Sequence, residues 1–488
     1  MAAFDEPFVF SNAPDWLIEA QQRNPQMPPK VTSPLHEEPV YTEQIERQGP
    51  GLDWPPGIAG ALAREIFNHS IRPVQEISIA TALAILAGVC GRGWNTHTGT
   101  GLNLYIAFVA RSAIGKEAIA DAVQVLVQAA VEKGAICAPD YFTFNSMASG
   151  QGLIRFMSEN PCLLHVSGEF GHDIVFMATE KTGPHATLRQ NMTKLYHKSG
   201  AASIAGGINY SKTETNINIS GAASYSIIGE TTPGRFYEAL NGKMMSDGFM
   251  SRFIVIDYSG PRPPENENRA PFADGAVTWF MELVLQAAQK AHLPPNQVTP
   301  DPDASTLLKA FNRECDDHIN GTDDESRRQM WNRAQLNSLK VAGLLAVADN
   351  YLVPIITPAQ ADWSIKLIKR NIAAMTKRLD GGDVGDGDDA RERKLAYILK
   401  QYLLNTVPAS YKVPDTMRQN SIAPKNYLHI RTKQVAAFYD HKLGHNRALD
   451  DTIASMIASG YLMEVQKDRV VDAYNYHGKA YRIIRLPL

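Results

Sequence analysis

Between residues 54 and 260, five short apolar runs alternate with segments of helical periodicity, and this alternation restricts the fold more than any other feature of the chain. The runs are Leu102 to Val109, Tyr141 to Phe144, Cys162 to Val166, Ser224 to Gly229 and Phe253 to Asp257. Apolar runs of strand length, with helices between them, describe a parallel sheet covered on both faces, an α/β core. Ahead of the first run, Ile58 to Phe67 and Gln75 to Val89 have helical spacing and are separated by Pro73. The second is apolar on nearly every side, as a helix buried against a sheet must be.

The first run leads into Ala110-Arg111-Ser112-Ala113-Ile114-Gly115-Lys116-Glu117-Ala118 and then into a helical pattern from Ile119 to Val131. Strand, small-residue loop, Gly-Lys and helix is the layout of a phosphate-binding loop. Small residues let backbone N–H groups close on a polyphosphate, the helix start faces it and the lysine neutralises it. Two positions depart from the pattern: Ala110 replaces the first glycine, and Glu117 replaces the Ser or Thr that holds Mg²⁺.

The third run ends in Ser167-Gly168-Glu169-Phe170-Gly171, so an acidic side chain falls at the carboxyl end of a buried strand, where open α/β sheets build ligand sites. A surface glutamate in a turn would read the same way. The fourth ends in Glu230-Thr231-Thr232-Pro233-Gly234-Arg235, and the fifth follows Asp247-Gly248-Phe249-Met250-Ser251-Arg252. Between the third and fourth runs, Ala202 to Ser220 is β-rich around Asn209 to Thr215, a hairpin or loop that exposes Tyr210 and Lys212.

Five segments follow from these patterns: an extended or disordered arm over 1–52, the α/β core over 53–260, a helical lid or bundle over 261–379, an acidic Gly/Asp linker over 380–390, and a C-terminal domain over 391–488. The prolines of Gly260 to Pro264 mark the second boundary. The linker lacks the closing glutamate of a calcium loop. In the last segment, helices at Arg391 to Leu404, Thr432 to Leu443 and His445 to Ser459 precede two strands joined by a turn at Asp468-Arg469, which describes a winged helix. Asn446 and Arg447 on its third helix, with Lys467, Arg469, Lys479 and Arg482 around the wing, are the residues for phosphates and base edges; many winged helices bind protein instead. This segment holds 16 Lys and Arg against 8 Asp and Glu, a net of +8, while residues 1–390 carry −11, which together make the chain's −3.

No apolar stretch approaches the roughly 18 to 20 uncharged residues that a membrane span needs, and no charged start with an apolar core marks a signal peptide. Cys90, Cys137, Cys162 and Cys315 lack CxxC spacing, which fits reduced thiols and a cytoplasmic home. His165, His172, His185 and His197 lack ligand spacing, and nothing argues for a serine, cysteine or metal hydrolase.

The order Trp54-Pro55-Pro56-Gly57, a buried helix pair, the Gly-Lys loop, Ser167 to Gly171, Thr231-Thr232-Pro233 and Gly248 to Phe253 resembles a RecA-like P-loop ATPase family of phages, plasmids and integrated elements associated with primase-helicase proteins. The likeness covers about residues 54 to 375, and Ala110-Arg111-x-x-x-Gly115-Lys116 is also similar to the loop of DnaB-type replicative helicases. It implies a nucleic-acid-stimulated ATPase using ATP and Mg²⁺, a replicative DNA helicase acting on single-stranded DNA as a homo-oligomeric ring, a hexamer, beside other replication proteins in the cytoplasm of a bacterial host. In that frame Ser112 to Glu117 cradle the phosphates, Lys116 contacts the β- and γ-phosphates, Glu169 polarises the attacking water, and Thr231 or Thr232 senses the γ-phosphate. Arg252, or else Arg235, is the arginine finger or an ordinary ion-pair partner, and Tyr210 and Lys212 line the channel. The family usually has Ser or Thr after the lysine and an aspartate before the strand-end glutamate. Glu117 and Gly168 therefore pose either an exchange, with Glu117 and Glu169 serving the metal, or a loss of hydrolysis that leaves an assembly or loader subunit. A winged-helix DNA-binding replication factor is the third reading.

Overall fold

The computed structural model describes residues 51–486 apart from 213, 215, 241–243, 246, 292, 381–386, 434 and 440–443. Residues 1–50 of the expected arm and 381–386 of the expected linker lie outside the described residues. The chain divides into two compact units: Met1–Pro233 with Gly248–Asp324 and Arg328–Asn371, and Gly234–Asp247 with Glu325–Arg327 and Ile372–Leu488.

In chain order the elements up to the centre of the sheet are α1 (Gly57–His69), α2 (Gln75–Cys90), β1 (Trp94–Thr96), β2 (Tyr105–Ala110), α3 (Ala118–Glu132), β3 (Phe142–Thr143), α4 (Gly150–Glu159), β4 (Cys162–Ser167), α5 (Phe170–Thr179), α6 (Pro184–Leu195) and β5 (Ser224–Thr231). Next come α7 (Pro233–Ala239), β6 (Phe253–Tyr258), α8 (Asp274–Lys290), β7 (Asn296–Pro300), α9 (Pro302–Asn320), α10 (Glu325–Asn332), α11 (Ala334–Asp349), β8 (Ile355–Ile356) and α12 (Pro358–Asp380).

The five apolar runs form one parallel sheet in the order β3-β4-β5-β2-β6. β2 is buried at every position, so it needs no polar alternation. α2 is buried from Ile77 through Cys90 and approaches the sheet through Gly88, where a Cβ would stand 2.6 Å from the Cβ of Leu164. β5 lies between β2 and β4, so the phosphate-type loop and the Glu169 turn flank a strand that pairs with both.

The helices expected as a separate lid belong largely to this same unit. α11 is buried from Asn337 to Ala348, and a second parallel sheet, β1-β7-β8, ties residue 94 to residues near 296 and 355. Within the expected helical segment, the helical run from Glu325 to Asp349 is broken at Arg333, whose φ of −111° and ψ of 1° leave the helical region. The β-rich reading of Ala202 to Ser220 reduces to one isolated bridge, Ile208 to Ile217, with no strand among the described residues there.

The second unit contains α13 (Gly387–Leu404), α14 (Asp415–Gln419), β9 (Ile422–Pro424), α15 (Lys425–Thr432), α16 (Ala436–Tyr439), α17 (His445–Ala458), β10 (Leu462–Glu464), α18 (Lys467–Tyr474) and β11 (Ala480–Ile483). Its core joins Leu395, Leu399 and Tyr402 to Leu428, Phe438, Leu449, Ile453 and Met456. The sheet has three antiparallel strands, β10-β11-β9, and not two: the short Ile-Ala-Pro segment pairs with β11. The helix expected from Thr432 to Leu443 is instead α15, ending at Thr432, and α16; residues 440–443 lie outside the described residues. The expected turn at Asp468-Arg469 is inside α18. No helix among the described residues is long and apolar enough to cross a membrane.

Candidate nucleotide site

The loop after β2 has the backbone of an anion cradle. Ala113 and Gly115 are both left-handed, with φ of 63° and 98°. Left-handed residues reverse the run of peptide N–H groups and produce the concavities that bind anions. At Gly115 a Cβ would lie 2.8 Å from both the Cβ and the carbonyl oxygen of Arg72, so no side chain fits. Buried Ile114 anchors the loop, while Arg111, Ser112 and Ala113 are exposed. α3 begins at Ala118 without a side-chain cap from Glu117, and an uncapped helix start leaves N–H donors for an anion. Half-buried Lys116 extends from the loop and donates from Nζ to the carbonyl oxygen of Thr231 at 3.3 Å. The loop and the end of β5 thus meet at one point.

Three carboxylates surround that point. Glu230 is half-buried near the end of β5, and its carboxyl is pushed up to about 7, first by burial and then by Glu117 and Glu169, with Lys116 opposing. Glu117 is exposed, and Glu169 is exposed at the start of α5 with its Oε2 3.4 Å from His172 Nε2. Asp173 is half-buried behind them; its Oδ2 accepts from Ser167 Oγ at 3.4 Å, and burial raises its proton affinity. Glu230 has no role among the residues expected from the sequence. Its signal was present, an acidic residue closing a buried apolar run, but the threonines beside it drew the assignment. Thr231 is buried with its hydroxyl directed to the Thr232 carbonyl at 3.4 Å, and Thr232 is half-buried.

The expectation for Arg252 needs correction. It precedes β6, where Phe253 pairs with Tyr105, while the loop leaves β2 only after Ala110. Five residues of strand separate the two ends by roughly 16 Å. Arg252 is also 8% exposed, donates to the Gly248 carbonyl and lies 5.9 Å from the ring centre of Tyr196. A buried arginine at the amino end of the strands does not reach a nucleotide at the carboxyl end of its own chain and is not presented to a neighbour. Arg235 is exposed on α7, in the second unit.

The residues assigned to nucleic acid are scattered. Tyr210 and Lys212 are exposed in a loop rooted just before β5, at the end of the sheet away from Lys116; Tyr210 N–H donates to Asn216 Oδ1 at 2.7 Å. On α17, Asn446 Oδ1 is 2.8 Å from His429 Nε2, and Arg447 Nε is 3.0 Å from Asp451. Asp450 on the same helix pairs with Lys425. The exposed face of that helix therefore carries one arginine and two aspartates, which is not a phosphate-seeking surface. Lys467 and Arg469 are exposed on α18, Lys479 lies 3.5 Å from Glu464, and Arg482 is exposed on β11.

Among the described residues, no group of three or more His, Cys, Asp and Glu is arranged to hold a metal ion alone. Mg²⁺ on a nucleotide takes only one or two protein carboxylates, with phosphate and water filling the other positions. Glu230, half-buried close to Lys116, Glu117 and Glu169, fits that smaller demand.

No family model matches the chain, and no curated protein matches it. Among solved structures, a full-length MCM homolog from Methanopyrus kandleri is similar over 66% of this chain and 63% of that one, with 11% sequence identity and a TM-score of 0.33. The match thus spans less than two thirds of that protein's length, and likeness at this level carries no argument about fold or activity.

Proposed function

We propose that the first unit binds ATP with Mg²⁺ and hydrolyses it, as the motor of a ring-forming helicase that acts on single-stranded DNA during replication of a phage or mobile element. The observation that carries this reading is the Lys116 to Thr231 contact. A lysine following a left-handed glycine, at an uncapped helix start, reaches the carboxyl end of the sheet's middle strand beside a half-buried carboxylate. Phosphates seated in the loop would take Lys116 from the Thr231 carbonyl. Glu169 would polarise a water for attack on the γ-phosphorus, the bond to the bridging oxygen would break, and ADP and phosphate would leave. In a ring, the exposed Arg235 is the finger that remains once Arg252 is seen to be buried.

A second reading is favoured by two residues. Exposed Glu117 at the start of α3 places a negative charge beside a triphosphate, and Gly168 withholds the usual carboxylate from the end of β4. Both suit an ATP-binding assembly or loader subunit that turns over slowly. The third reading, a winged-helix DNA-binding factor, has the helices and three-stranded sheet of the second unit in its favour and the mixed charge of α17 against it.

Three measurements separate them. Hydrolysis stimulated by single-stranded DNA and abolished by Lys116→Ala supports the motor. Tight ATP binding without turnover supports the assembly subunit, and specific duplex binding with no nucleotide effect supports the factor.

A further inference from the structure

Position 168 and the carboxylate of Glu230 are immediate neighbours. Ser167 pairs with Gly229 across β4 and β5, so residue 168 falls beside residue 230 at the carboxyl ends of adjacent parallel strands. Register neighbours in a sheet project to the same face. A Cβ built on Gly168 would lie 3.3 Å from Glu230 Oε1, closer than ordinary contact. Gly168 is exposed and its φ is not left-handed, so its backbone does not demand glycine. The flexible tip of Glu230 can give by the few tenths of an ångström a Cβ needs, but a carboxylate placed at 168 would set a second negative charge directly beside it. The next residue, Thr231, accepts the Lys116 hydrogen bond through its carbonyl, which brings the acid and the phosphate-seeking amine together.

We propose that Glu230 is the metal-side carboxylate of the nucleotide site, supplied by β5 in the place that an aspartate at position 168 would fill from β4. The proposal rests on the nucleotide-site reading above. It accounts for Gly168 without assigning Glu117 to the metal: the acid has moved one strand across the sheet, and glycine at 168 keeps a second like charge away from it. The raised proton affinity of Glu230 agrees with this, since a half-buried carboxylate flanked by two other acids is suited to a cation beside it. It also follows that a carboxylate at 168 and one at 230 are alternatives, each serving the site alone and each hindering the other.

The test measures binding of a fluorescent, non-hydrolysable ATP analogue to the full-length chain, with Mg²⁺ and with EDTA. Wild-type protein is expected to bind more tightly with Mg²⁺. Glu230→Gln keeps the EDTA affinity and loses the Mg²⁺-dependent gain by tenfold or more, whereas Lys116→Ala loses affinity in both conditions. Gly168→Asp alone lowers the melting temperature at pH 8; combined with Glu230→Gln, it recovers both the melting temperature and the Mg²⁺ gain. A wild-type protein that binds no nucleotide overturns the site reading and this proposal with it. A wild-type protein that binds, with the Mg²⁺ gain intact in Glu230→Gln, overturns this proposal alone. So do independent, additive effects of the two substitutions on melting.

Discussion

Lys116 and Thr231 are joined across the sheet: the lysine Nζ donates to the threonine carbonyl oxygen at 3.3 Å, linking the loop after β2 to the end of β5. A half-exposed hydrogen bond of this kind contributes about 1 kcal/mol to stability. Under the proposed function its value is larger, because the same amine would neutralise phosphate. Lys116→Ala is therefore expected to leave the melting temperature nearly unchanged while weakening ATP binding by roughly 100-fold, about 3 kcal/mol. Calorimetric titration with ATP, beside a thermal melt, checks both halves.

Gly115 gives the opposite pattern. With φ at 98° and the Arg72 backbone 2.8 Å from any Cβ, Gly115→Ala must displace the loop or the chain beneath it. The expected cost is about 1–3 kcal/mol of stability, with nucleotide binding lost as well. Chemical denaturation of the variant reads the first effect, and unchanged stability would contradict the conformation described.

Arg252 distinguishes a structural arginine from a finger. Buried against Tyr196 with its guanidinium on the Gly248 carbonyl, it is expected to lower stability by about 2–4 kcal/mol when changed to alanine. A finger would instead leave the melt unchanged and abolish turnover. Arg235→Ala, at an exposed position, is expected to leave the melt within about 0.5 kcal/mol of wild type and to reduce hydrolysis if a ring forms.

His165 predicts a pH dependence. It is buried on β4 with Nδ1 2.8 Å from the Tyr225 hydroxyl, and burial lowers its pKa from 6.5 to about 4. The unfolded chain therefore binds a proton that the fold refuses between those values, so this contribution to stability is complete above pH 6.5 and is lost as pH falls toward 4. The loss amounts to about 3 kcal/mol at most. Urea midpoints should fall less steeply from pH 7 to 5 in His165→Asn than in wild type.

Lys340 behaves in the reverse sense. Its Nζ is fully buried, donates to Asn103 Oδ1 at 2.7 Å and lies 3.9 Å from the ring centre of Tyr196. Burial first, then Arg333 and Arg252, holds the amine well below its ordinary proton affinity. Folding weakens the hold of this amine on its proton, so its stability deficit shrinks as pH rises toward the unfolded value. Lys340→Met leaves Asn103 Oδ1 the Ser199 hydroxyl as a donor, and is expected to melt at or above wild type at pH 7, with the difference narrowing by pH 9.5.

The sheet was legible because apolar runs of strand length admit few alternatives, and the loop because Gly115 and Lys116 sit where strand becomes helix. Arg252 was misplaced: a residue just before a strand of a parallel sheet lies at the amino end, away from the loop, and only the packing around Tyr196 shows that it is buried there. Glu230 was visible but mute, since its meaning comes from lying beside Gly168, a relation between strands 62 residues apart in the chain. β9 was hidden for a similar reason, as three residues ending in proline have no periodicity and become a strand only by pairing with β11.

β5 runs eight residues from Ser224 to Thr231, bonded along its length to β4 and β2. At its far end lies the bridged loop that carries Tyr210 and Lys212. A strand held in register on both sides neither buckles nor slides, so the Glu230 end and the root of the Tyr210 loop stand at the two ends of one stiff segment, roughly 20 Å apart. The strand is thus a fixed spacer: the distance between the carboxylate and the loop is set by the sheet and not by either end.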